Sequence, residues 1–84
     1  MLERRVNPVY PALMKQIGRS GRVELRAIIS IDGTIESLQV VSGDPGFISS
    51  ALEAVREWKY RPTYLNGQPV EVDTIITVVY TLER

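Results

Sequence analysis

Chemistry in this chain would have to come from carboxylates, basic groups, hydroxyls and phenols, because it holds neither histidine nor cysteine. Imidazole acid–base catalysis at neutral pH, Ser-His-type triads, thiolate zinc sites and disulfides are therefore excluded. Glu53 and Glu57 stand four apart, a spacing that puts two carboxylates on one helical face and would suit paired acid–base work. Arg56 and Lys59 lie beside them, and a solvated polar face accounts for the pair. Asp32-Gly33 lacks the ligand series of a calcium loop and reads as a turn. Trp58 and Tyr60 could form an aromatic platform, but an aromatic that closes a helical apolar stripe belongs to the core. No catalytic set assembles from these residues, so the expectation is a protein that is not an enzyme and needs no cofactor or metal.

Charge leads to a binding role instead. The formal net charge is zero, yet residues 1–26 carry Arg4, Arg5, Lys15, Arg19, Arg22 and Arg26 against only Glu3 and Glu24, which leaves the remainder acidic. Such a division suits docking of an oppositely charged partner, or it is simply an uneven solvated surface. Arg19, Arg22 and Arg26 could contact phosphates, but the aromatics fall off the strands or on the helix-covered face, and nucleic acid is not expected.

At 84 residues, 44% hydrophobic and 24% charged, residues 1–84 form one folded domain with an economical core. No stretch approaches the ~20 apolar residues of a membrane span, and Met1-Leu2-Glu3-Arg4-Arg5 lacks the apolar centre of a signal peptide.

The elements follow from periodicity. Tyr10, Leu13, Met14 and Ile17 fall at helical spacing after Pro11, with Gly18 as the stop, giving a short helix that clamps a sheet. From Gly21 to Ile31 the pattern becomes strict alternation, and Asp32-Gly33 supplies a two-residue hairpin turn. The returning strand, Thr34 to Val41, puts Ile35 out of phase with Leu38 and Val40, which a bulge near Glu36-Ser37 would reconcile. Asp44-Pro45 opens a second helix from about Phe47 to Trp58, with Phe47, Ala51, Val55 and Trp58 as one stripe. After the Asn66-Gly67 turn, alternation resumes from Val70 to Leu82. The fold class is α+β: a three-stranded antiparallel sheet, order 2-1-3, with two helices on one face. Helices there leave Ile28, Ile75 and Val79 on the opposite, open side.

These residues resemble the C-terminal domain of the TonB family of energy transducers. The resemblance is carried by Pro8-Val9-Tyr10-Pro11, Gly21-Arg22-Val23, Asp32-Gly33, Ala54-Val55-Arg56-Glu57-Trp58, Tyr60-Arg61-Pro62, Asn66-Gly67 with Pro69-Val70, and Val78-Val79-Tyr80-Thr81-Leu82, in family order over nearly the whole chain. It implies a periplasmic domain anchored to the inner membrane through a segment absent from this chain. Its implied partners are the TonB-box peptide of an outer-membrane transporter and an inner-membrane, proton-driven motor complex, the latter reached through the upstream region. The segment matching Asn7-Pro8-Val9-Tyr10-Pro11 lies close to the bound box in the family, which places Asn7, Pro8, Val9 and Tyr10 in the binding set; Asn7 stands where Gln is often found.

In the 2-1-3 order the last strand is an edge, and its unpaired backbone groups are open to strand addition by an extended peptide. The expected partner-binding residues on it are Ile75, Ile76, Thr77, Val78, Val79, Tyr80, Thr81 and Leu82. Two alternatives use the same edge: a TolA-like envelope-linking adaptor, and self-association into a homodimer.

Overall fold

The computed structural model describes residues 2–82. In chain order its elements are β1 (Leu2–Arg4), α1 (Ala12–Gln16), β2 (Gly21–Ile29), β3 (Ile35–Gly43), α2 (Pro45–Arg56), β4 (Lys59–Tyr60), β5 (Thr63–Leu65), β6 (Gln68–Val70) and β7 (Val72–Tyr80). The alternating β2 lies between β3 and β7, antiparallel to both. This is the α+β class and the strand order that the sequence predicts.

One face of the sheet carries the core. Val23, Leu25, Ala27 and Ile29 of β2 are buried there with Ile76, Val78 and Tyr80 of β7. α2 covers them with Phe47, Ala51, Ala54 and Val55, and removing each large side chain from water contributes roughly 1.5–3 kcal/mol before entropy is subtracted. Asp44 caps α2 by accepting the Gly46 N–H at 3.0 Å, with Pro45 in the first turn. The helix ends at Arg56, earlier than the apolar stripe predicts. Trp58 completes that stripe from outside the helix, buried to 7% exposure.

α1 departs from the expected clamp. It spans five residues and buries only Met14, while Leu13 and Ile17 are exposed. A helix of little more than one turn cannot lay a long stripe on a sheet. Met14 instead occupies the space that a Cβ on Gly46 would need, so α1 reaches the core over the start of α2.

The expected bulge is present. Ile29 pairs with Ile35 and Ile28 with Ser37, which leaves Glu36 as the extra residue, and a second shift leaves Val41 unpaired between Val40 and Ser42.

The last strand is shorter than alternation predicts. Val70 pairs with Thr63 in a separate β5–β6 hairpin, closed by Asn66 and Gly67 with φ 52° and 79°, the left-handed pair that a two-residue turn requires. β7 begins at Val72 and ends at Tyr80; Thr81 and Leu82 lie beyond it. The break falls at Glu71, where the chain leaves the hairpin and joins the sheet.

At the far end, β1 pairs with β4. The Tyr60 N–H donates to Gly33 O at 2.8 Å, and a Cβ on Gly33, at φ 91°, would collide with the Tyr60 carbonyl. Glycine is needed there for its backbone conformation and for the close approach.

Candidate functional site

β7 is a terminal strand of its sheet. Which of its backbone groups face outward follows from β2. In an antiparallel ladder, the N–H and C=O of one residue point to the same side and alternate along the strand. Arg22 O accepts from Asp44 N and Ser30 N donates to Thr34 O, so even-numbered residues of β2 face β3 and odd-numbered ones face β7. β2 and β7 pair without a register shift, Leu25 opposite Ile76 and Val23 opposite Val78. Ile76, Val78 and Tyr80 therefore spend their backbone groups on β2. Asp73, Ile75, Thr77 and Val79 turn theirs outward.

The side chains of these outward residues lie on the open face of the sheet. Ile75 and Val79 are 52% and 64% exposed, as the sequence predicts for the uncovered side. Arg26 clips β2 to the start of β7: its Nε donates to Asp73 Oδ1 at 3.0 Å and a second guanidinium nitrogen bonds Oδ2. The hydrogen bonds from Arg26 hold the Asp73 carboxyl below the usual range.

On the covered face, residues 6–10 form a strap along α2. Trp58 Nε1 donates to Val6 O at 2.8 Å, and Ser50 Oγ donates to Val9 O. The same Ser50 oxygen accepts the Tyr80 hydroxyl at 3.0 Å, so the strap and the last residue of β7 share one serine. The Tyr10 ring stands edge-on to Phe47 and Tyr80, with centroids 5.5 and 5.7 Å away, while Phe47 and Tyr80 stack at 4.4 Å. Burial pushes the Tyr80 phenol above its ordinary range. The Tyr10 hydroxyl donates to Arg19 O, and the Arg19 side chain pairs with Asp44 at 2.7 Å.

The predicted binding residues thus fall into groups. Ile75, Thr77 and Val79 lie on the free edge; Ile76, Val78 and Tyr80 are core residues of the same strand. Thr81 is exposed and Leu82 half-buried, both past the strand. On the strap, Val9 is 80% exposed, Asn7 is exposed, and Pro8 and Tyr10 are half-buried. Tyr10 touches Tyr80; the edge and the strap therefore meet at one end of β7. Sequence reasoning missed Ser50, whose signal is modest: a small hydroxyl next to Ala51 on the apolar side of α2.

Asp32 Oδ1 accepts from the Ser30 hydroxyl and from the Thr34 hydroxyl and N–H, which lowers its pKa to about 2 and makes it the keystone of its turn. Glu53 and Glu57 are exposed. A shallow depression of about 230 Å³ beside β3 is lined by Ile35, Glu36, Ser37, Leu38 and Arg56, on the side of the sheet away from β7.

Fold and site together define a small α+β module in which β7, among the described residues, is unpaired on its outer side. A profile of the family described as Gram-negative bacterial TonB protein C-terminal matches residues 6–82, and the chain belongs to that family. Protein TonB of Vibrio cholerae is 31% identical over 85 residues, covering 99% of this chain and 35% of that protein. Protein TonB of Pseudomonas aeruginosa is 32% identical over 79 residues, covering 92% and 23%. The chain therefore spans about a third or less of the length of these relatives. The solution NMR structure of the Pseudomonas aeruginosa TonB CTD superposes with a TM-score of 0.84 at 27% identity, covering 100% of this chain and 87% of that one.

Proposed function

We propose that this chain is the partner-binding domain of a TonB-like energy transducer, which takes up the TonB-box segment of an outer-membrane transporter by strand addition to β7. It acts by binding, without catalysis. Its setting is the periplasm, anchored to the inner membrane and linked to a proton-driven motor complex through a region outside this chain. The observation that carries this reading is the outward backbone of Asp73, Ile75, Thr77 and Val79 on a terminal strand in unbroken register. An extended segment laid there gains main-chain hydrogen bonds, and its alternate side chains meet the open face or the strap. Asn7, Pro8, Val9 and Tyr10 then flank the end of the docked segment nearest Tyr80.

Titrating TonB-box peptides while following backbone amides tests this. Shifts concentrated at Ile75, Thr77 and Val79 are expected, with weaker ones at Val9 and Tyr10. A TolA-like adaptor would respond to a different envelope peptide. A purely self-associating domain would show concentration-dependent shifts on β7 that box peptides leave unchanged, and that result would sink the transducer reading.

A further inference from the structure

The three-stranded sheet has two edges, and they are not equivalent. β7 holds its register against β2 over nine residues. β3 loses register twice, at Glu36 and at Val41. Between these bulges only Ser37, Leu38, Gln39 and Val40 keep the ladder spacing. Ser37 and Gln39 lie opposite Ile28 and Arg26, which face β3, so only Leu38 and Val40 point backbone groups outward in phase. A docking strand presents partners at every second residue, roughly 6.8 Å apart. An extra residue shifts that phase and turns the strand, so one straight segment cannot satisfy the rungs on both sides of it.

Core packing does not require the extra residues. Without Glu36 and Val41, β3 would read Ile35, Ser37, Leu38, Gln39, Val40, Ser42, Gly43 against Ile29 to Val23. Ile35, Leu38 and Val40 would still fall on the core face, in strict alternation. The bulges thus leave the pattern of the buried face unchanged and alter only the rim.

We infer that the Glu36 and Val41 bulges are specificity determinants: they close the β3 edge to extended peptides and so confine strand addition to β7. This rests on the strand-addition reading above. It assigns a role to two residues that lie on neither β7 nor the strap.

The test compares the wild-type chain with a variant lacking both Glu36 and Val41, using the same box peptide and residue-resolved amide shifts. In the wild type, shifts are expected on β7 and none at Leu38 or Val40. In the deletion variant a second site should open on β3, raising the stoichiometry from one peptide to two. A folded variant that still binds one peptide at β7 overturns the inference, as do wild-type shifts on β3 equal to those on β7. Absence of any wild-type shift on β7 instead overturns the strand-addition reading. A converse variant decides the matter if the deletion does not fold. One glycine inserted between Ile76 and Thr77 moves a bulge onto β7, and the affinity should fall about tenfold, the worth of one or two lost rungs; unchanged affinity would refute the role of bulges.

Discussion

Asp32 and Glu36 sit four residues apart, and their carboxyls respond to the fold in opposite senses. Asp32 is lowered from 3.8 to about 2, first by the Ser30 hydroxyl and then by Thr34. The unfolded chain binds that proton more tightly, so the contribution of the turn to stability is complete above about pH 4 and fades as pH falls toward 2. An NMR titration of the Asp32 carboxyl should show its midpoint near 2, and Asp32→Asn should flatten the acid limb of a stability profile. Glu36 is raised, chiefly by its hydrogen bond with Glu71. Its ionisation therefore works against the fold, and what it contributes at low pH is lost as pH rises through its folded value. Glu36→Gln should melt slightly higher than wild type at pH 7, with the difference gone near pH 4. Ser50 belongs to a different part of the molecule. Replacing it with Ala removes the donor to Val9 O and the acceptor for Tyr80. The loss should be about 1 kcal/mol, seen in chemical denaturation, together with faster amide exchange in the strap.

At the level of elements, β7 makes the sharpest prediction. Thr77→Pro removes an outward N–H and should weaken peptide capture about tenfold with little change in melting temperature, because an edge tolerates proline on its free side. Val78→Pro removes a rung to β2 and should unfold the sheet instead, as circular dichroism would report. What the sequence revealed about the elements depended on whether periodicity had a rival explanation. The phase conflict among Ile35, Leu38 and Val40 had only one simple resolution, and the Glu36 bulge was legible in advance. The break at Glu71 was not legible, since Val70 and Val72 keep a period of two straight across it. α1 was misjudged for a related reason: Leu13 and Ile17 have the right spacing, but five residues give them no surface to cover. β1 and β4 are three and two residues long, too short to show any period. The strap contacts were also invisible, because Trp58 and Val6 are joined by folding across 52 positions of sequence. Tyr10 and the edge residues of the candidate site were legible because the family resemblance and the strand order each marked them.

For the molecule as a whole, the core is small enough that one residue decides whether it holds. Phe47 is fully buried, stacked on Tyr80 and beneath the Tyr10 ring. Phe47→Ala should cost about 3–5 kcal/mol, a large share of the total stability of a domain this size, and calorimetry should show a melting point lower by about 15 °C or more. The same aromatic cluster joins the covered face to the end of β7, so its loss should also abolish peptide binding. The open edge has a mechanical consequence. A segment seated along β7 and drawn parallel to the strand would load all its rungs in shear at once, whereas a pull across the strand would open them singly, like a zipper. The joint would then hold in one direction and release in the other, and pulling a tethered peptide along each axis should give clearly different rupture forces.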